Sequence, residues 1–212
     1  MNIGLNITQN TKNFNSYLNR IKIRTKDYKE CNFIDVSSDL KLHKNIKKLD
    51  VLLTYKINQS LFKKSSNNLK WIHFGVAGVE DNLFKDLIKS KTIITNCSGI
   101  HARPVSEFIL ASILYYCKRF DACNDYKIER KWKQWQIAKT MIQLNNKKLG
   151  IIGYGKIGKA TAKLAKQFGM EVIATKRSQK KISQNKYVDR LIPLSNINEL
   201  YKQSDFIAIT CP

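Results

Sequence analysis

The sequence contains no run of about 18 apolar residues, so no membrane-crossing helix is expected. Its N-terminus, Met1 to Thr8, alternates like a strand and lacks a charged segment followed by an apolar one, which argues against a secretory leader. The Asn-x-Ser/Thr sites at Asn6, Asn58 and Asn96 then read as chance occurrences in an asparagine-rich chain. There is no Cys-x-x-Cys, and the five cysteines, Cys31, Cys97, Cys117, Cys123 and Cys211, are odd in number and scattered. That argues against a disulfide framework and against a zinc site, and it suits a reducing, cytoplasmic setting. All five read as ordinary small apolar side chains. Neither a repeat of solenoid length nor a low-complexity tract occurs.

The chain has 212 residues, of which 43% are hydrophobic, enough for one large or two small domains with a real core. Its formal net charge is +22. A basic surface attracts nucleic acid, anionic membrane or anionic small molecules. Here the lysines are spread along the whole chain and accompany many asparagines and isoleucines, which points to compositional bias. No RNP-like, zinc-finger or helix-turn-helix pattern stands above that lysine background.

Strand and helix patterns alternate from end to end. Asn2–Ile7, Cys31–Val36, Asp50–Thr54, Leu69–Phe74 and Thr92–Asn96 read as strands. Between some of them lie helically spaced stretches, Phe14–Arg20, Asn58–Ser65 and Asn82–Lys89. Short apolar strands separated by helical patterns imply parallel βαβ units, so an open α/β sheet is expected over the first hundred or so residues. Pro104 sits where a first helical position is expected, opening a helix that runs to about Lys118. From Arg119 to Lys148 the text turns charged and aromatic, with Trp132 and Trp135, and reads as one further helix or arm and a linker. A second alternation begins at Leu149.

The strongest local signal is Gly153-Tyr-Gly155-Lys-Ile-Gly158. A G-x-G-x-x-G alone is weak, but here the buried-strand run Leu149-Gly-Ile-Ile152 precedes it and a helical pattern, Lys156–Phe168, follows. In that context Gly153 permits a tight turn, Gly155 removes a side chain that would block a pyrophosphate, and Gly158 lets the helix approach the strand. The pyrophosphate of a dinucleotide would rest on the amides that begin the helix, chiefly those of Lys156 and Ile157, with Tyr154 in the same loop. A glycine-rich turn without a ligand is the plain alternative. Gly169 is expected to end the helix, and Glu171–Thr175 to be the second strand. Just after that strand a dinucleotide fold keeps its ribose reader. An acid there would take the 2′-hydroxyl of NAD; this chain has Lys176-Arg177-Ser178 instead. Two cations and a hydroxyl suit a 2′-phosphate, so NADP(H) is expected over NAD(H), unless lysine bias alone has put the cations there. Val188–Ile192 and Asp205–Thr210 read as the third and fourth strands, with a helix between them over Ser195–Lys202, Ser195 a candidate N-cap. Thr210, Cys211 and Pro212 would then reach the ligand crevice, with Cys211 and Pro212 beside the cofactor.

Two further stretches complete a family pattern: Leu69-Lys-Trp-Ile-His-Phe-Gly-Val-Ala-Gly-Val-Glu80, and Thr95-Asn-Cys-Ser-Gly-Ile-His-Ala-Arg-Pro-Val-Ser-Glu107. Together with the glycine loop they make the chain, from about Asp50 to Pro212, resemble the D-isomer-specific 2-hydroxyacid dehydrogenases. The glyoxylate/hydroxypyruvate reductase and phosphoglycerate dehydrogenase branches are the nearest. The resemblance implies an α/β fold: a flavodoxin-like substrate domain over residues 1–103, a hinge helix and connecting arm over 104–146, and the first half of a Rossmann, doubly wound NAD(P)-binding domain over 147–212. It implies that the amides of Val76, Ala77, Gly78 and Val79 hold a substrate carboxylate, that Asn96–Glu107 is the hinge, and that Trp132 is an aromatic common in the family. A helix-start role fits Glu107 better than proton transfer.

The family reads on beyond the position of Pro212, and its catalytic arginine, glutamate and acid/base histidine fall in that part. The expectation is therefore a C-terminally truncated oxidoreductase for small 2-keto or 2-hydroxy acids, inactive by itself, with no catalytic or metal residue assigned here. His43 reads as an exposed helix residue; His73, beside the carboxylate loop, and His101, in the hinge, default to packing or solvated roles. The other reading is a non-catalytic NAD(P)-binding regulatory protein. A homodimer is a further implication of the resemblance, and no nucleic-acid or membrane partner is expected. Marginal solubility of the isolated chain is expected, because four strands leave one sheet edge and an apolar face uncovered.

Overall fold

A computed structural model describes residues 1–8, 10–27 and 30–211. They form two compact units, Met1–Ser98 and Gly99–Pro212. In the first, the order is β1 (Asn2–Leu5), α1 (Thr11–Arg24), β2 (Asn32–Asp35), α2 (Asp39–Asn45), β3 (Val51–Thr54), α3 (Gln59–Phe62), β4 (Trp71–Phe74), α4 (Lys85–Lys89) and β5 (Ile93–Asn96). All five strands are parallel, in the spatial order β2-β1-β3-β4-β5, the flavodoxin-like arrangement.

The strands are only four residues long, and their apolar residues carry the core. Leu52, Ile72 and Phe74 pack with Val36, Leu42, Ile46, Leu49 and Leu87. Full burial of each such side chain contributes about 1.5–3 kcal/mol. Helix starts are fixed by local caps: Ser38 Oγ accepts from Lys41 N at 3.3 Å and Asn58 Oδ1 from Leu61 N at 2.8 Å. The helix at Asp39–Asn45 carries His43, which the sequence reads as an exposed helix residue, but its bounds are not legible there. Its interior buries only Leu42, so it leaves almost no periodic trace.

The second unit contains α5 (Ala102–Cys117), α6 (Phe120–Ile128), α7 (Gln134–Ala138), β6 (Lys148–Ile152), α8 (Lys156–Gln167), β7 (Glu171–Lys176), β8 (Ser183–Asn185), β9 (Val188–Pro193), α9 (Ile197–Gln203) and β10 (Phe206–Ile209). The strand order is β10-β6-β7-β9-β8, with β8 alone antiparallel. β9, β7, β6 and β10 thus stand in the 3-2-1-4 order of a Rossmann sheet. One face of the sheet is covered by α8 and α5, whose small residues Ala162 and Ala165 meet Leu149, Ile151, Val172 and Ala174. On the other face α9 packs Leu200 against Ile173 and Ile192. α9 comes so near β6 that a methyl group on Gly150 would overlap Ser204 Oγ and lie 2.6 Å from Leu200. α8 ends in a Schellman motif, Gly169 N to Lys166 O and Met170 N to Ala165 O, both 3.2 Å.

Three local expectations are corrected, and one strand is added. The arm after Arg119 holds two short helices, α6 and α7, instead of one. Pro104 is the third residue of α5, where its missing N–H is still no loss. Ser195 does not cap α9; its hydroxyl donates to Asn196 Oδ1 at 2.9 Å, and the helix starts at Ile197. The strand β8 is wholly exposed and polar, so no hydrophobic alternation announces it. β10 lies at the sheet edge with Ile207 44% and Ile209 70% exposed.

Candidate functional site

In a doubly wound sheet the ligand crevice opens at the carboxyl ends of the strands where their order reverses, here between β6 and β10. The glycine loop lies there. Gly153, directly after β6, has φ +98°, a conformation that side chains disfavour, and a Cβ on it would lie 2.8 Å from Cys211 N. Gly153 N and Tyr154 N both donate to Thr175 O at the end of β7, at 3.1 and 2.8 Å. Gly153 O accepts Gly155 N at 2.8 Å and the Thr210 hydroxyl at 2.7 Å. The loop is thereby pinned to three strands before the helix begins.

Gly155 is the N-cap of α8, and the first helical bond runs from Lys159 N to Gly155 O, 3.0 Å. First-turn amides, those of Ile157 and Gly158 among them, have no acceptor within the helix, and the helix start carries a partial positive charge. A Cβ on Gly155 would meet nothing within 4 Å, so the space over it is open. A Cβ on Gly158 would collide with Gly153 O and lie 3.0 Å from Thr210 Oγ1 and 3.1 Å from Ile151 Cγ2. The three glycines therefore do different work: a turn, a vacant approach, and close contact of helix and strand. A pyrophosphate, which needs backbone amides and no intruding side chain, fits this surface.

The remaining predicted residues are placed as follows. The Tyr154 ring is turned into the core, with its hydroxyl 3.3 Å from Asn185 Oδ1. Lys156 and Ile157 open α8. Lys176 ends β7, and with Arg177 and Ser178 it is exposed; among the described residues neither cation pairs with a carboxylate. Cys211 is exposed beside Gly153, and Pro212 lies outside the described residues. The sequence placed Thr210 at the crevice; its role as the hydroxyl that ties β10 to the glycine loop emerges only from the geometry.

In the first unit, Val76–Val79 follow β4. Val76 O accepts Cys97 N at 3.0 Å, Ala77 O accepts Asn96 Nδ2 at 2.6 Å, and Val79 O accepts Asn82 N at 2.8 Å. Three of the loop's four carbonyls are engaged, while among the described residues no acceptor takes the amides of Ala77, Gly78 or Val79. Glu80 is the nearby acid, its Oε2 3.0 Å from where a Gly78 Cβ would stand. His43 is exposed on α2, and His101 is exposed at the N-cap of α5. Glu107 pairs with Arg103 on the surface of α5, Nε to Oε1 2.8 Å. Among the described residues no group of acids, histidines and cysteines is placed to hold a metal, and no helix is long and apolar enough to cross a membrane.

Residues 110–212 match the model of the D-isomer specific 2-hydroxyacid dehydrogenase NAD-binding domain. Over these residues, about half of its length, the chain is similar to the NAD-binding domains of the D-isomer specific 2-hydroxyacid dehydrogenase family. It is 33% identical over 128 residues to a hydroxypyruvate reductase of Blautia hydrogenotrophica, covering 56% of this chain and 37% of that protein. It is 28% identical over 173 residues to a glyoxylate reductase of Thermococcus litoralis, covering 77% and 50%. The chain thus spans about half or less of the length of these relatives. A solved structure of a dehydrogenase of this family from Aeromonas salmonicida superposes with a TM-score of 0.75 at 21% identity, covering all of this chain and 63% of the other. That likeness shows the shared fold. The family domain is one for a nicotinamide dinucleotide, which accords with the glycine loop, the open space over Gly155 and the start of α8.

Proposed function

We propose that this chain binds NADP(H) at the glycine loop and a small 2-keto or 2-hydroxy acid at the Val76–Val79 loop, serving an oxidoreductase that acts on the CH–OH group of D-2-hydroxy acids. The observation that carries this reading is the vacant space over Gly155 at the start of α8, in a loop pinned on three sides. Gly153, Gly155 and Gly158 shape the approach, the amides of Lys156 and Ile157 face the pyrophosphate, and Tyr154 anchors the loop from within. Lys176, Arg177 and Ser178 take the 2′-phosphate, with Cys211 flanking the nucleotide. The amides of Val76, Ala77, Gly78 and Val79 hold the substrate carboxylate, as small residues exposing N–H groups to an anion can.

When bound, the nicotinamide supplies or accepts the hydride. The proton that accompanies it needs an acid/base group, usually a histidine tuned by a carboxylate. Among the described residues none of His43, His73 and His101 bonds a carboxylate, so no catalytic residue is assigned within residues 1–212. The exposed aromatic arm, with Trp132 at 87% and Trp135 at 72%, is the surface we assign to a homodimer. Light scattering that shows only monomer at micromolar concentration removes that assignment.

Calorimetry at low salt tests the dinucleotide reading. NADPH should bind more tightly than NADH; the reverse order removes the 2′-phosphate assignment, and no heat with either removes the site. Incubation with NADPH and glyoxylate or hydroxypyruvate should give no rate above a cofactor-only control. A clear rate would show that a proton-transfer group has been overlooked.

A further inference from the structure

In the first unit the β4–β5 pair carries a cluster of polar side chains on the face opposite the buried Ile72 and Phe74. His73 and Thr95 are register partners on adjacent strands. His73 Nδ1 lies 2.8 Å from Thr95 Oγ1, and the Trp71 indole N–H donates to the same oxygen at 2.8 Å. On the other edge of the imidazole, Nε2 lies 3.4 Å from Cys97 Sγ. A hydroxyl oxygen has two acceptor positions, and the indole, a donor only, fills one. In the tautomer whose Nδ1–H fills the second, Nε2 is an acceptor facing the thiol. Nucleophile, base and orienting third group then stand in the arrangement by which thiols are activated. Cys97 is half-buried, whereas Cys117 is buried, and among the described residues no histidine borders the sulfur of Cys31, Cys117, Cys123 or Cys211.

We propose that Cys97 is a site of thiol–disulfide exchange with low-molecular-weight disulfides, with His73 as its base and Thr95 as the group that orients His73. Nε2 takes the thiol proton as the sulfur attacks one sulfur of the disulfide. The Cys97 S–S bond forms while the original S–S bond breaks, and the departing thiolate leaves with the electron pair and is protonated by the imidazolium or by water. The small disulfide is the only oxidant required. The backbone N–H of Cys97 holds Val76 O at 3.0 Å and its neighbour Asn96 holds Ala77 O at 2.6 Å, so a group attached to this sulfur is built next to the Val76–Val79 loop. The exchange is measured without any keto acid and stands apart from the substrate reading.

The full reduced chain is incubated with excess glutathione disulfide, quenched in acid at intervals and digested, and each cysteine is followed by mass spectrometry. Cys97 should form its mixed disulfide about tenfold faster than Cys31 or Cys123. His73→Gln should remove that advantage and flatten the pH dependence of the Cys97 rate, while the rates of Cys31 and Cys123 stay unchanged and report an intact fold. Thr95→Val, which keeps the imidazole and loses the orienting hydroxyl, should give an intermediate rate. Cys97 reacting no faster than Cys31 in the unaltered chain overturns the proposal, as does an advantage that survives His73→Gln. Should that variant fail to fold, an advantage fully retained in Thr95→Val overturns it equally.

Discussion

Gly155→Ala and Gly158→Ala add the same methyl group three residues apart, and the structure gives the two additions opposite consequences. At Gly155 the new Cβ meets nothing within 4 Å, and φ −89°, ψ −154° is extended backbone that alanine adopts. The weaker N-cap and the stiffer unfolded chain nearly offset each other, so stability should change by less than about 1 kcal/mol. The methyl group nonetheless occupies the approach of the pyrophosphate. Losing charge-assisted hydrogen bonds worth about 1.5–3 kcal/mol should weaken dinucleotide binding roughly 10- to 100-fold. At Gly158 the Cβ falls on Gly153 O, with Thr210 Oγ1 at 3.0 Å, and a backbone carbonyl cannot rotate aside as a flexible side chain can. Overpacking of this kind costs about 1–3 kcal/mol, which should lower the melting temperature of this unit by roughly 5–15 °C. Calorimetry with NADPH and thermal melts of both variants read the two effects separately. Unweakened binding by Gly155→Ala refutes the pyrophosphate placement, and an unchanged melt of Gly158→Ala refutes the close approach of α8 to β6.

Three further outcomes are expected. Arg177→Glu should weaken NADPH by about tenfold more than NADH, since a carboxylate repels a 2′-phosphate that a guanidinium clamps; fluorescence titration with both cofactors reads this, and equal losses contradict the assignment. Burial raises the Asp189 carboxyl, but the Val172 amide at 2.7 Å and Lys166 outweigh it, and Asp205 is lowered chiefly by the Lys148 amide at 2.8 Å and also by Lys147. Both carboxyls thus titrate below their ordinary value, so their stabilisation is present above the unfolded carboxylate pKa and is lost as pH falls through the lower folded one. Melting temperature should drop below about pH 4, and the double variant Asp189→Asn/Asp205→Asn should drop less; parallel curves contradict the linkage. Ile209→Lys, on the exposed edge strand β10, should raise the soluble yield, and an unchanged yield would mean that this edge does not drive association.

What the sequence made legible was the part carried by periodicity and by glycine. Val51–Thr54 and Glu171–Lys176 are nearly continuous apolar runs, because parallel strands are covered on both faces, and such runs can be read without neighbours. The glycine loop was legible because each of its glycines answers a local steric demand. Tyr154 was not: the loop position faces solvent or core depending on how β8 and β9 fold back, and Asn185, its partner, lies 31 residues away. The hairpin itself was hidden because Ser183, Gln184 and Asn185 are exposed and polar. Thr210 and the Cys97–His73 pair depend on contacts between distant strands, which spacing along the chain cannot express.

Both loops reach the same electrostatic result by different hydrogen-bond routes. In the Val76–Val79 loop, Asn96, Cys97 and Asn82 take three carbonyls, and the amides of Ala77, Gly78 and Val79 are left without an acceptor among the described residues. In the glycine loop, the amides of Gly153, Tyr154 and Gly155 are themselves engaged, so the loop proper offers an anion little. What it does instead is hold the start of α8 at the crevice, where first-turn amides point outward and the helix dipole adds its positive end. The net charge of +22 is therefore not what selects the ligand. A lysine-rich surface draws anions from a distance and is screened beyond about 8–10 Å in physiological salt, whereas oriented amides act at hydrogen-bond range. Raising the salt should accordingly slow or weaken binding without erasing it. Displacing the amides, as a methyl group at Gly155 would do by holding the phosphate off, should remove most of the affinity at any salt concentration.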